Sequence, residues 1–159
     1  MPMVNKPVGA VCLRASREYY RRLYTVTHEG AHMTFANLAS KRYSCKKYGE
    51  KQLLPEQLEA ILEVGRMAPT AKNLQPQHIY AIQSPEGLAK VDALTPCRYG
   101  APTVLMVAFN TNNVFTYPGG KRDSGIEDAS IVATHLVLAA ADAGVDSCWV
   151  NLFDPKEAH

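Results

Sequence analysis

Nothing in this chain clusters thiols or strings apolar residues to membrane length, and its net charge is only +2. The four cysteines, Cys12, Cys45, Cys97 and Cys148, are widely scattered and form no C-x-x-C pair. That pattern disfavours structural zinc and iron–sulfur clusters, both of which want grouped thiolates. It does not suggest a disulfide-stapled secreted domain either. No apolar run approaches the roughly 20 residues of a membrane-spanning helix. A short apolar patch from Val8 to Leu13 is ended by Arg14 and Arg17 before a signal-peptide core can form, and the chain reads as cytoplasmic. Gly120-Lys121 lacks the flanking glycine and Ser/Thr pattern of a phosphate loop. No catalytic triad or carboxylate pair stands out.

What is present fits an ordinary globular domain. The 159 residues are long enough to bury a core, and 47% apolar with 20% charged content argues against wholesale disorder. The net charge is +2, but residues 1–32 carry +3 and the remainder −1. The basic excess therefore belongs to an N-terminal extension, and the body has no general nucleic-acid signature. Residues 1–12 show no clear period. From Leu13 to Val26, Leu13, Tyr20, Leu23 and Tyr24 could line one side of a short basic helix. Residues 1–32 are accordingly expected to be an accessory extension, in part helical or disordered.

His28-Glu29-Gly30-Ala31-His32 formally matches H-E-x-x-H, whose two imidazoles on one helical face could grip zinc with Glu29 as general base. Gly30 weakens the helix, little apolar sequence precedes the motif to bury it, and no downstream ligand falls in an obvious pattern. The match reads as a coincidence. A zinc hydrolase using His28, Glu29 and His32 stays as an alternative.

Regular elements follow. Thr34 can cap a helix to about Ser40, with Phe35 and Leu38 facing inward. Leu54-Pro55-Glu56-Gln57 opens a second helix with the stripe Leu58, Ile61, Leu62 and Gly65, closed before Pro69. A strand spans Ile79 to Gln83, and a helix Pro85 to Leu94 turns Leu88, Val91 and Leu94 inward. The unbroken apolar run Thr103 to Phe109 predicts a strand covered on both faces. A polar loop, Asn110 to Gly125, is long enough to act as a flap. Ile126 to Ala143 is a helix apolar nearly all round, with Glu127 and Asp128 in its first turn and Gly144 after its end. His135 within it reads as a core or interface histidine. A last strand runs from Asp146 to Asn151.

Two stretches carry chemistry. Lys41-Arg42-Tyr43-Ser44-Cys45-Lys46-Lys47-Tyr48 offers cations and a hydroxyl suited to phosphate. Extended geometry would send Arg42, Ser44 and Lys46 to one side. A solvated basic turn is the alternative. Ala68-Pro69-Thr70-Ala71-Lys72-Asn73-Leu74-Gln75-Pro76-Gln77 is a proline-bracketed loop whose amides could follow the edge of a flat polar ring, Asn73 and Gln75 each pairing with an acceptor and a donor.

With these residues the chain resembles the nitroreductase family of flavin-dependent enzymes. Arg42 to Lys46 resembles its Arg-x-Ser-x-Arg/Lys signature, and Ala68 to Pro76 its Ala-Pro-Ser/Thr-x-x-Asn-x-Gln-Pro loop. Gly100-Ala101-Pro102 before a strand, the alanine-rich helix, and Gly144 through Trp149 follow in the family's order. The resemblance covers about residues 33–159 and implies a partial FMN-binding domain, incomplete at the C-terminus. The fold class it implies is α+β, a mixed sheet flanked by helices, assembled as a homodimer with FMN at the interface.

The resemblance also implies site roles. Arg42 and Ser44 would contact the ribityl phosphate within the Arg42, Tyr43, Ser44 segment, and Lys46 would lie near the pyrimidine edge of the ring. Pro69, Thr70 and Asn73 would line the cofactor from the loop, in some arrangements from the partner subunit. Val150 and Asn151 would pass near the reactive face through backbone groups. NAD(P)H would give hydride to flavin N5 and a nitroaromatic, quinone or similar acceptor would take it, with no catalytic side chain and no metal. No nucleic acid or membrane partner is expected. A non-catalytic FMN- or nucleotide-binding fragment is the other reading.

Overall fold

A four-stranded sheet organises the molecule, a computed structural model that describes residues 5–15 and 34–158. Its strands are β1 (Asn5–Ala15), β2 (Gln77–Ile82), β3 (Thr103–Asn110) and β4 (Val145–Val150). They lie in the order β2-β3-β1-β4, and each neighbouring pair is antiparallel. One parallel bridge, Ser44 with Ser147, adds to the outer side of β4 and makes the sheet mixed. Among the described residues four α-helices flank it: α1 (Phe35–Lys41), α2 (Pro55–Arg66), α3 (Pro85–Leu94) and α4 (Gly125–Asp142). The α+β class, with a mixed sheet between helices, is the observed one.

Strand alternation sorts the core into two layers. Val11, Leu13, Leu105, Val107, Phe109 and Val145 point to one face, where α2 and α4 cover them through Ile61, Val132, Leu136 and Ala140. Ala10, Cys12, Val104, Cys148 and Val150 point to the other, where Val91 and Leu88 of α3, Tyr48 and Tyr99 close over them. β3 is buried along almost its whole length, as its unbroken apolar run predicts.

β1 is where the structure departs most from the sequence pattern. Residues 5–15 are the inner strand between β3 and β4, with Val11 and Leu13 at 0% exposure and Cys12 at 1%. Leu13 is therefore a sheet residue and does not begin a helix. A strand covered on both faces shows no alternation, and Pro7 and Gly9 look like breakers but mark a register shift in the pairing with β3. The rest of the expected basic helix, Ser16 to Val26, and the His28-Glu29-Gly30-Ala31-His32 motif lie outside the described residues.

Local chemistry sets the helix ends. Thr34 Oγ1 accepts the Asn37 N–H at 3.2 Å and starts α1. That helix buries none of its residues, and Phe35, expected to face inward, is 72% exposed. Seven residues make two turns, too short to bring Phe35 over the sheet. Gly65 of α2 lets α4 approach, since a Cβ there would lie 2.6 Å from Leu136 Cδ2. At the far end of α4 the buried Gln57 donates to the Ala143 carbonyl at 3.1 Å, and Gly144 turns the chain at φ +65° into β4.

Because β1 is interior, Leu13→Ala is expected to lower the unfolding free energy by about 2–5 kcal/mol. A denaturant titration checks this, and a midpoint unchanged from the parent would put residues 5–15 outside the folded core.

Candidate functional site

The basic segment packs against the beginning of β4. Cys45 N–H donates to the Ser147 carbonyl at 3.0 Å, which fixes the segment in extended form beside the sheet. Cys45 is buried while Ser44 and Lys46 are exposed, so the expected alternation holds through these three positions. Lys41, Arg42 and Tyr43 form one wall of an open cleft of about 140 Å³, whose other wall is Ala141 and Gly144 to Ser147. Ligand pockets for whole cofactors run to roughly 300–1,000 Å³. The cleft admits a phosphate-sized group and not a fused ring system.

Its charge is distinctive. Arg14, Arg66, Arg98 and Arg122 each pair with a carboxylate, of Asp146, Glu63, Asp92 and Glu127 respectively. Arg42 has no such partner among the described residues, and neither have Lys41, Lys46 and Lys47. Asp146 at the cleft wall is met by Arg14 at 3.5 Å, which shares its charge. Beside it, the Tyr43 phenol is pushed up to about 12, by desolvation first and then by the Asp146 carboxylate.

All four cysteines, scattered in sequence, gather in or beside the layer on the α3 side of the sheet. Cys12 and Cys148 are cross-strand partners, and Cys12 Sγ lies 4.0 Å from the Cys97 carbonyl. Burial, then the neighbouring Cys148, pushes the Cys12 thiol up to about 12. Burial also raises the Cys148 thiol, against the opposing pull of the Lys46 ammonium and a hydrogen bond with Ser44. All four are free thiols, three of them buried, and among the described residues no group of three His, Cys, Asp or Glu side chains could hold a metal.

The amide loop lies elsewhere. Ala71 N–H donates to Asp128 Oδ1 at 2.8 Å in the first turn of α4, and Asn110 N–H donates to the Pro76 carbonyl at 2.8 Å at the end of β3. The basic segment meets α4 at Ala141, thirteen residues on, or about 20 Å along a helix. Within one protomer Arg42, Tyr43, Ser44 and Lys46 are together, Pro69, Thr70 and Asn73 are together, and the two groups are apart. Val150 and Asn151 end β4, beyond the Ser147 bridge, with Val150 buried and Asn151 exposed. The Asn151 side chain accepts the Trp149 indole N–H at 2.8 Å, and that pair lies over Gly9 of β1.

The loop is strained. Lys72, Asn73 and Gln75 have φ of +52°, +55° and +48° without being glycine. Non-glycine residues in the left-handed region cluster at ligand clamps and active sites. Thr70 supports the conformation, its Oγ1 accepting the Gln75 N–H at 3.0 Å. Lys72 reaches across so that its ammonium lies 4.7 Å from the Phe115 ring centroid. Asp128, Gly9 and Phe115 carry no signal as site residues in the sequence, because each acts on a segment distant along the chain.

The antiparallel core, the extended cationic segment and the strained amide loop define an α+β protein with helices on both faces of its sheet and a cleft walled in part by Lys41 and Arg42. The profile of the nitroreductase family matches residues 39–97 and 94–158, and the chain belongs to that family. It is similar to a crystal structure of a nitroreductase family protein from Clostridium difficile 630, at 38% identity over 79% of this chain and 73% of that one, with a TM-score of 0.76. An FMN-dependent nitroreductase from Clostridium difficile R20291 is 26% identical over 73% of this chain and 65% of its own, with a TM-score of 0.62. A protein of Archaeoglobus fulgidus provisionally named NADH dehydrogenase/NAD(P)H nitroreductase is 27% identical over 73% of this chain and 66% of its length. The last two alignments span just under two thirds of the relatives.

Gly9→Ala tests the packing over β1. A Cβ would lie 2.5 Å from Trp149 Nε1 and 2.7 Å from Asn151 Oδ1. The chain has a single tryptophan, so its emission reports the site directly. The expected outcome is a red-shifted spectrum and a loss of about 1–3 kcal/mol in stability; an unchanged spectrum would show that the pair does not depend on Gly9.

Proposed function

We propose that this chain is the FMN-binding body of an oxidoreductase that moves electrons from NAD(P)H to a nitroaromatic, quinone or similar acceptor. The observation that carries the reading is Arg42, a cation without an acid among the described residues, in a phosphate-sized cleft on a nitroreductase fold. FMN, when bound, supplies the redox chemistry. The protein's contribution is binding, orientation and field. Arg42 and Ser44 would hold the phosphate, with Tyr43 beside them at the cleft wall, and Lys46 would place positive charge toward the pyrimidine edge. Pro69, Thr70 and Asn73 would follow the ring, with the Asn73 amide free to pair with one acceptor and one donor. Backbone groups of Val150 and Asn151 would lie on the reactive side, where the buried Val150 excludes water.

The residues present fit that cofactor, but only when two copies share it. The separation of the basic segment from the amide loop leaves no slot between them in one protomer, so we propose a homodimer in which one copy grips the phosphate and its partner the ring. Ile126 and Ile131, 55% and 37% exposed on the outer side of α4, give a second copy apolar surface to cover. The alternative of a non-catalytic FMN-binding body uses the same residues and differs only in turnover.

The absorbance of the purified chain is the first test: flavin bands bleached by NAD(P)H support the reading, and a chain that stays colourless and takes up no added FMN ends it. Flavin bands without steady-state reduction of a quinone would favour the non-catalytic alternative. Arg42→Ala is expected to weaken FMN binding by roughly 1.5–3 kcal/mol. Titration of FMN fluorescence measures this, and an unchanged affinity would remove the phosphate role.

Sharing between copies has its own signature. Arg42→Ala and Asn73→Ala chains are each expected to bind FMN poorly, yet co-refolded together they should recover about a quarter of the parent's sites, because each mixed dimer has one intact site. No recovery on mixing would place both groups in the same subunit.

A further inference from the structure

We propose that Asp128 is a positioning residue for the cofactor loop, its carboxylate holding residues 71–75 in the backbone form that meets the flavin; this rests on the flavin reading above. Asp128 is 2% exposed. Its Oδ1 accepts the Ala71 N–H at 2.8 Å and its Oδ2 accepts the Ser124 hydroxyl at 2.7 Å. Ser124, also buried, exchanges two bonds with Phe115: it accepts the Phe115 N–H at 3.2 Å and donates its own N–H to the Phe115 carbonyl at 2.9 Å. One carboxylate thus joins α4, the amide loop and the excursion after β3.

The backbone that follows the anchored Ala71 gives the carboxylate its task. Lys72, Asn73 and Gln75 are all left-handed, and all three side chains are exposed. Packing therefore does not impose their conformation, and strain of this kind persists only where hydrogen bonds over-determine it. Thr70 acts from within the loop, and Asn110 and Asn113 hold its second half through the Pro76 and Leu74 carbonyls. Asp128 secures the first half, from a rigid helix, with a charged acceptor. A role confined to the helix end would account for one oxygen and not for the bond to Ala71, 57 residues away.

Asp128→Ala removes both acceptor oxygens, so the Ala71 N–H and the Ser124 hydroxyl each lose this partner. FMN affinity is expected to fall about tenfold or more, and amide exchange over residues 71–75 of the FMN-free protein to quicken by a similar factor, with core amides of β3 unchanged. Adding Lys72→Gly supplies a residue that adopts positive φ freely, and should restore roughly threefold of the lost affinity. A purely structural role would give no such rescue. Affinity and loop exchange both within about twofold of the parent overturn the proposal. Should Asp128→Ala not fold, exchange in the parent decides: an Ala71 amide as unprotected as free peptide overturns the anchoring. A parent that binds no FMN overturns the flavin reading and the cofactor half of the proposal, while loop exchange still settles the anchoring half.

Discussion

Burial of α4 against the sheet is the constraint on which the arrangement depends. Ala129, Val132, Ala133, Leu136 and Ala140 are at most 1% exposed, so the helix can neither slide nor shorten without opening the core. Its two ends then act as fixed posts. Asp128 at one holds the amide loop, and the turn through Gly144 at the other lines the cationic cleft. The distance between the two chemically distinctive stretches is thus a helix length and not an adjustable loop. That separation is the reason for proposing that a cofactor in touch with both would be shared between two copies.

The second dependence runs through β1. β3 and β4 do not pair with each other; each pairs with β1. The family profile matches from residue 39 onward, yet the strand that makes the matched elements into one sheet comes from residues 5–15. The register Leu13 to Ser147 and Thr103 places the bridge that orients the cationic segment at a defined level of the sheet. The position of Arg42 is in this sense set by a strand far upstream of the motif that contains it.

What could be read in advance follows from how local each cause is. α2, α3 and α4 were legible because proline at the first turn, acids near the start and a 3.6-residue apolar period all act within one helix. β3 was legible as an unbroken apolar run. β1 was not, since burial on both faces erases alternation and Pro7 and Gly9 mimic a loop. Phe35 was misjudged for a related reason: its spacing to Leu38 suits a buried stripe, but a two-turn helix at the sheet's edge has nothing to bury it against. In the site, residue types at Arg42, Ser44 and Asn73 were visible, whereas left-handed Lys72 and Gln75 have no compositional mark. The link from Asp128 to Ala71 is a tertiary contact that no local pattern encodes.

Charge distribution explains why the cationic segment matters in a chain of nearly neutral net charge. Screening confines the field of exposed groups to about 8–10 Å at ordinary ionic strength. Distant acids therefore do not compensate Lys41, Arg42, Lys46 and Lys47, and the nearby Asp146 is engaged by Arg14. Repulsion among these cations weighs against the folded state, while the buried Val145 in the wall reduces screening in the cleft. A doubly charged phosphate held there, as proposed, would relieve the repulsion in the folded chain and have no comparable site in the unfolded one, so its binding would add to stability by mass action. On the proposed reading, the same four side chains that weigh against the isolated fold would be the ones that attract an anion to it.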